Sequence, residues 1–133
     1  MKTLLMIKPD SVAQGHTGEI ISIVLRNKFN ISRLEMVRFA RERAEQFYAV
    51  HRERAFFQEL VQYIASGPVV AMEVEGEEAV TRLRELIGAT DPAEARPGTI
   101  RAMYGIDIRH NAVHGSDSQD NAQKELAIAF GDF

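Results

Sequence analysis

The run Thr3-Leu4-Leu5-Met6-Ile7, followed at once by Lys8-Pro9-Asp10, constrains the fold of this chain more than any other stretch. Almost continuous apolar character over five positions is the pattern of a short strand buried on both faces. Pro9 ends it, because proline lacks the N–H that a ladder or a helix interior needs, so Lys8 emerges at a sheet edge. Val69 to Val74, VVAMEV, repeats the pattern, and residues 31–39, ISRLEMVRF, alternate well enough for a half-buried strand. Ala112 to His114 is a short fourth strand.

Helical periods fill the intervals. Ile20, Ile21, Ile23, Val24 and Phe29 fit a helix that starts near Gly18. The block RERAEQFYAVHRERAFFQELVQYIASG predicts two helical pieces, with Ala44, Phe47, Tyr48 and Val50 inward on the first and Phe57, Leu60, Val61 and Ile64 on the second. Phe56 and Phe57 are adjacent, so one of the two rings must leave the core. A helix from about Glu77 to Ile87 follows, and Ser118 to Phe130 forms the last, with Ser118 as its N-cap. Residues 88–112 hold three glycines and two prolines without a long period, which predicts a long functional loop.

This order predicts one α+β domain over residues 1–133: a ferredoxin-like, four-stranded antiparallel sheet with a βαββαβ core and helices packed on one face. Length supports a single core. Sixteen Lys and Arg against nineteen Asp and Glu leave a formal charge of -3, so no global cationic field draws in nucleic acid or anionic lipid. Absence of cysteine excludes disulfides, thiolate nucleophiles and Cys-ligated zinc. No apolar stretch nears the roughly 20 residues that cross a bilayer, and the N-terminal run lacks a signal-peptide cleavage site. The expected location is the cytoplasm.

The chemistry concentrates in NAVHGSDS, residues 111–118. His114 offers an imidazole that can act as base, ligand or nucleophile, or serve structure alone. Gly115 leaves clearance beside it, and Ser116 and Asp117 can orient it or cap the next helix. A Ser-His-Asp hydrolase lacks its G-x-S-x-G elbow here. A His110–His114 metal pair would need a helix, which this stretch does not resemble. Phosphate binding has more support, since Lys8, Arg84, Thr90, Arg96, Thr99 and Arg101 supply anion-binding donors. Neither a Walker A pattern nor G-x-G-x-x-G is present, so side chains must hold any nucleotide.

Taken together, LLMIKPDSV, RAFFQELVQYIASGPVVAMEVEG, GATDPAEARPGTIR and NAVHGSDS resemble the nucleoside diphosphate kinases over essentially the whole chain. The resemblance implies ping-pong transfer of a γ-phosphoryl group from a nucleoside triphosphate to a nucleoside diphosphate through a phosphohistidine. It implies that His114 is the nucleophile, phosphorylated on the pros nitrogen, with Glu125 holding the ring and Ser116 bonding Glu125. Lys8 then sits at the ribose 3'-hydroxyl and the transferring phosphate, and Tyr48 beside the histidine and lysine. Arg84 and Thr90 grip the β-phosphate, Arg101 lies near the γ-phosphate and Asn111 near the ribose. Phe56 stacks on the base with Ile108 opposite, which leaves the base edge unread. Mg²⁺ is held by nucleotide phosphates and water, with Asp117 reaching it through water.

Three departures from that pattern stand out. Arg54-Ala55-Phe56-Phe57 replaces the usual Arg-Pro-Phe-Phe, and Ala102-Met103-Tyr104 follows Arg101 where an acidic residue and phenylalanine are common. The sequence stops at Phe133, without the C-terminal extension of longer members, which leaves tetramer against hexamer open. The 88–112 segment is expected to form a phosphate wall and an intersubunit contact. The competing reading is a catalytically silent, oligomeric nucleotide-binding module.

Overall fold

The computed structural model describes residues 1–131. Its elements run β1 (Lys2–Ile7), α1 (Pro9–Ala13), α2 (Thr17–Arg26), β2 (Asn30–Val37), α3 (Arg41–Phe47), α4 (Phe57–Ile64), β3 (Val69–Glu75), α5 (Ala79–Ile87), α6 (Ile100–Tyr104), β4 (Val113–Gly115) and α7 (Gln119–Phe130). Short 3₁₀ turns occupy Ala49–His51 and Pro92–Glu94. The four strands form one sheet in the order β2-β3-β1-β4, and every neighbouring pair is antiparallel.

Strands β1 and β3 lie at the centre, as their unbroken apolar runs require. Alternation sends Leu5, Ile7, Val70, Met72 and Val74 to one face, against Ile20, Ile23 and Val24 of α2 and Leu83 and Ile87 of α5. The opposite face carries Leu4, Met6, Val69 and Ala71 against Phe47 of α3, Phe57, Val61 and Ile64 of α4, and Phe130 of α7. Helices therefore cover both faces, not one. A strand apolar on both sides needs two covers, and the chain has helices enough to supply them.

Two local expectations are corrected. Val50 is 81% exposed, because α3 ends at Phe47 and the 3₁₀ turn that follows breaks the helical period. The 88–112 segment contains α6, whose N-cap Thr99 accepts from the Ala102 N–H. A five-residue helix is too short to print a period. Pro9 ends β1 as expected and also opens α1, at a first-turn position where its missing N–H costs nothing. Ser118 does cap α7, accepting from the Asn121 N–H at 3.1 Å, and of the paired rings Phe57 is buried while Phe56 is only half-buried.

Candidate active site

β4 is three residues long and, among the described residues, pairs with β1 alone: Leu5 opposite Gly115, Met6 opposite His114, Ile7 opposite Val113. This register places His114 on the Met6 face, under α3 and α7. The strand is entered through a γ-turn: Val113 N–H donates to Asn111 O at 2.9 Å across Ala112, which is buried at φ +75°. Such a turn is rare and strained for a residue with a Cβ. It lets the chain reverse tightly enough that Lys8 N–H also donates to Ala112 O at 2.9 Å, which ties the end of β1 to the start of β4.

His114 is held from two sides. Its Nε2 lies 2.7 Å from Glu125 Oε1, and the Phe47 ring packs edge-on at 5.0 Å between centroids. An ionised carboxylate only accepts, so in the neutral imidazole the proton sits on Nε2 and the lone pair on Nδ1 is free. Ser116 Oγ donates to the same Glu125 oxygen at 2.7 Å. Strand β4 thus supplies the ring, α7 the carboxylate, and the turn between them the hydroxyl that fixes the carboxylate.

A cleft of about 470 Å³ opens over these groups, lined by Tyr48, Arg84, Thr90, Arg101, His114, Asp117 and Glu125 among others. Eight of the twelve residues to which the resemblance gives roles thus meet here: these seven, with Ser116 bonded to Glu125, while Arg96 and Thr99 do not line the cleft. Lys8 and Asn111 stand behind the cleft and join it by a relay. Lys8 Nζ donates to Asn111 Oδ1 at 2.7 Å, and Asn111 Nδ2 donates to Thr90 O at 3.0 Å. Phe56 and Ile108 do not line this cleft; the Phe56 ring reaches it through His51, whose ring lies 5.4 Å away, and Ile108 is half exposed.

The electrostatics are cationic and partly dry. Burial, with Arg101 nearby, lowers Lys8 to about 8, and burial with Arg84 nearby lowers Arg101 to about 10. Burial and then the Glu125 charge hold the Tyr48 phenol above its ordinary range, so it stays protonated. The Asn121 amide, bonded to Asp117 at 2.6 Å, lowers the Asp117 carboxyl. Arg84 Nη1 donates to Gly115 O at 3.0 Å, and Arg101 donates to Gly88 O at 3.2 Å and Val113 O at 2.9 Å. Both guanidiniums are therefore oriented by backbone before any anion arrives. Among the described residues no group of three His, Asp or Glu side chains gathers to hold a metal, and His110 pairs with Asp107 at 2.9 Å instead of with His114.

Sequence reasoning missed Asn121 and Lys124, which line the cleft from α7. Asn121 was within reach of it: with Glu125 and Ile128 it falls at i, i+4, i+7, one helical face. Gln46 and His51 carried no such signal.

A strand-borne histidine aimed by a carboxylate, facing two arginines and backed by a buried lysine, is a phosphoryl-transfer geometry. The profile of the nucleoside diphosphate kinase family matches residues 1–133. The chain belongs to that family. It is 54% identical over 129 residues to the nucleoside diphosphate kinase of Chlamydia abortus, covering 97% of this chain and 92% of the relative. It is 50% identical over 131 residues to that of Archaeoglobus fulgidus, covering 98% and 87%. Among solved structures, the Aquifex aeolicus nucleoside diphosphate kinase superposes with a TM-score of 0.93 at 49% identity, covering 96% of this chain and 92% of that one. The Halobacterium salinarum nucleoside diphosphate kinase in complex with CDP superposes with a TM-score of 0.92 at 41% identity, covering 96% and 86%. The chain is a nucleoside diphosphate kinase, a phosphotransferase acting on nucleotides, and the silent-module alternative is not favoured.

Proposed function

We propose that His114 Nδ1 carries the phosphoryl group between two nucleotides in a ping-pong cycle. The observation that carries this reading is the Ser116–Glu125–His114 chain, two 2.7 Å bonds meeting at one carboxylate oxygen. In the first half-reaction the Nδ1 lone pair attacks the γ-phosphorus of a nucleoside triphosphate such as ATP. The N–P bond forms, the bond to the β–γ bridging oxygen breaks, and the diphosphate leaves with the electron pair. Nε2 keeps its proton throughout, and Glu125 balances the positive charge that grows on the ring. In the second half-reaction a β-phosphate oxygen of another nucleoside diphosphate attacks the phosphohistidine and the N–P bond breaks.

The remaining assignments follow the family resemblance. Arg84 and Thr90 take the β-phosphate and Arg101 the γ-phosphate, where fixed donors oppose the spreading charge. Lys8 neutralises charge at the leaving oxygen and the ribose 3'-hydroxyl. Asn111, bonded to both Lys8 and Thr90, sets the ribose end, and Tyr48 packs beside the histidine as a neutral phenol. Phe56 and Ile108 flank the base. The donor set fits a Mg²⁺ ion held chiefly by phosphates and water: among the described residues the cleft offers one aspartate, Asp117, whose carboxyl Asn121 lowers and which would reach the ion through water. Mg²⁺ supplies charge neutralisation on the transferring phosphates when bound.

The homo-oligomer reading, tetramer or hexamer, is supported by β2. Among the described residues no further strand pairs with this edge, its Leu34 and Met36 are 48% and 65% exposed, and Leu25 of α2 is 51% exposed. No helix among the described residues is long and apolar enough to cross a membrane, and the proposed setting is the cytoplasm.

The cycle is tested by incubation with γ-labelled ATP. Wild type should give an acid-labile, base-stable phosphoenzyme that discharges onto any added nucleoside diphosphate. Label retained by His114→Ala, or none on wild type, would overturn the reading.

A further inference from the structure

Phe56 carries a cation on its ring. The Arg109 guanidinium carbon lies 4.5 Å from the Phe56 ring centroid, while His51 meets that ring edge-on. Arg109 Nε also lies 3.6 Å from Glu59 Oε1, in the first turn of α4, with both side chains substantially exposed. A guanidinium is flat, delocalised and weakly hydrated, so it stacks on an aromatic face much as a nucleobase does. Arg109 follows Ile108 directly and precedes Asn111 by two residues. It therefore projects from one flank of the base slot onto the other.

A base that stacks on Phe56 displaces or shares this cation. Neither contact resists strongly, since an exposed ion pair and an exposed cation–ring contact are each weak. The displaced guanidinium stays tethered by the backbone next to Ile108, at the rim of the slot, within reach of the edge of a base stacked on Phe56. It brings a planar fork of donors and no acceptor. Guanine offers two adjacent acceptors, O6 and N7, that such a fork satisfies together. Adenine pairs its N7 with an amino donor, uracil offers the single O4, and cytosine presents the N4 amino group.

We propose that Arg109 reads the base edge and biases the acceptor site toward guanine nucleotides. This rests on the assignment of Phe56 and Ile108 to the base, and goes beyond it: stacking alone leaves the edge unread, whereas Arg109 makes it count. Arg109 is a specificity residue, and starting the test from phosphoenzyme formed in advance separates its effect on the acceptor from any effect on ATP.

The test is discharge of preformed phosphoenzyme by GDP, ADP, UDP and CDP, measured as kcat/KM for wild type, Arg109→Ala, Arg109→Lys and Phe56→Ala. Wild type should favour GDP over CDP. Arg109→Ala should cut that ratio roughly tenfold, the low end of a bidentate contact to guanine, mainly by slowing GDP. Arg109→Lys should not restore it, because an ammonium keeps the charge and loses the fork. An unchanged ratio in Arg109→Ala, or equal acceleration of all four acceptors, would overturn the proposal, the latter showing a plug instead of a reader. Phe56→Ala should slow all four. If it slows none, the base assignment itself falls, whatever Arg109 does.

Discussion

Lys8 is the residue whose chemistry depends most on where the fold puts it. Buried at the end of β1, bonded to Asn111 Oδ1 at 2.7 Å and sharing its surroundings with Arg101 and Arg109, it is lowered from 10.5 to about 8. In the window from 8 to 10.5 the unfolded chain holds a proton here that the folded chain has lost, so this group makes stability rise as pH rises through that window. Lys8→Met should therefore raise the melting temperature at pH 7 and do so less at pH 10, while abolishing most turnover. Activity runs the other way. kcat/KM should fall tenfold per pH step above about 8 as Lys8 discharges, and the limb in kcat should lie higher, because bound polyphosphate favours the charged amine. A pH profile showing no limb in kcat/KM between 7 and 10 would contradict this. Ser116→Ala removes one of two bonds to the oxygen that orients His114. Turnover should drop about tenfold, as expected for a hydrogen bond to a charged group, with KM little changed in steady-state assays.

At the scale of elements, α7 and β4 are the two pieces that must stay in register for catalysis, since one carries Glu125 and the other His114. Removing the α7 cap with Ser118→Ala should cost about 1 kcal/mol and lower the melting temperature by about 3–5 °C, readable by calorimetry. Between β4 and α5 the spacing is closer still: a Cβ on Gly115 would meet Ile87 Cδ1 at 2.5 Å. Gly115→Ala should lower both stability, by about 1 kcal/mol or more, and turnover, and Ile87→Val should restore part of each by clearing the methyl group. If the double variant is no better than the single one, the contact is not the cause. This scale is also where the sequence was least legible. Long apolar elements such as β1, β3 and α5 print their period plainly. The five-residue α6, the proline-opened α1 and the turn that exposes Val50 do not, because one helical turn is too short for a period and its capping bonds come from outside it.

For the molecule as a whole, element order was enough to predict the sheet, since few antiparallel topologies accommodate it, but not the two-sided cover, which depends on which way each crossover turns. His114, Gly115 and Asp117 of the cleft were legible from NAVHGSDS because they are contiguous, and the resemblance named Tyr48, Arg84, Thr90, Arg101 and Glu125, which the fold brings to the same cleft. The relay from Lys8 through Asn111 to the Thr90 carbonyl was not, as it joins residues 103 apart through a backbone atom that carries no sequence signature. The free β2 edge leads to an assembly prediction: Leu34→Lys with Met36→Lys should yield a smaller species by light scattering, and an unchanged mass would place the subunit contact elsewhere.

The other sheet edge has a different fate. Residues Val113 and Gly115 turn their carbonyls away from β1, where a fifth strand would bind, and Arg101 and Arg84 occupy those two acceptors instead. The guanidiniums assigned to phosphate thus also seal a template for amyloid-like strand addition. Losses measured on Arg84 or Arg101 variants will then mix weakened affinity with aggregation, and a soluble-fraction measurement is needed before either number is read as catalysis.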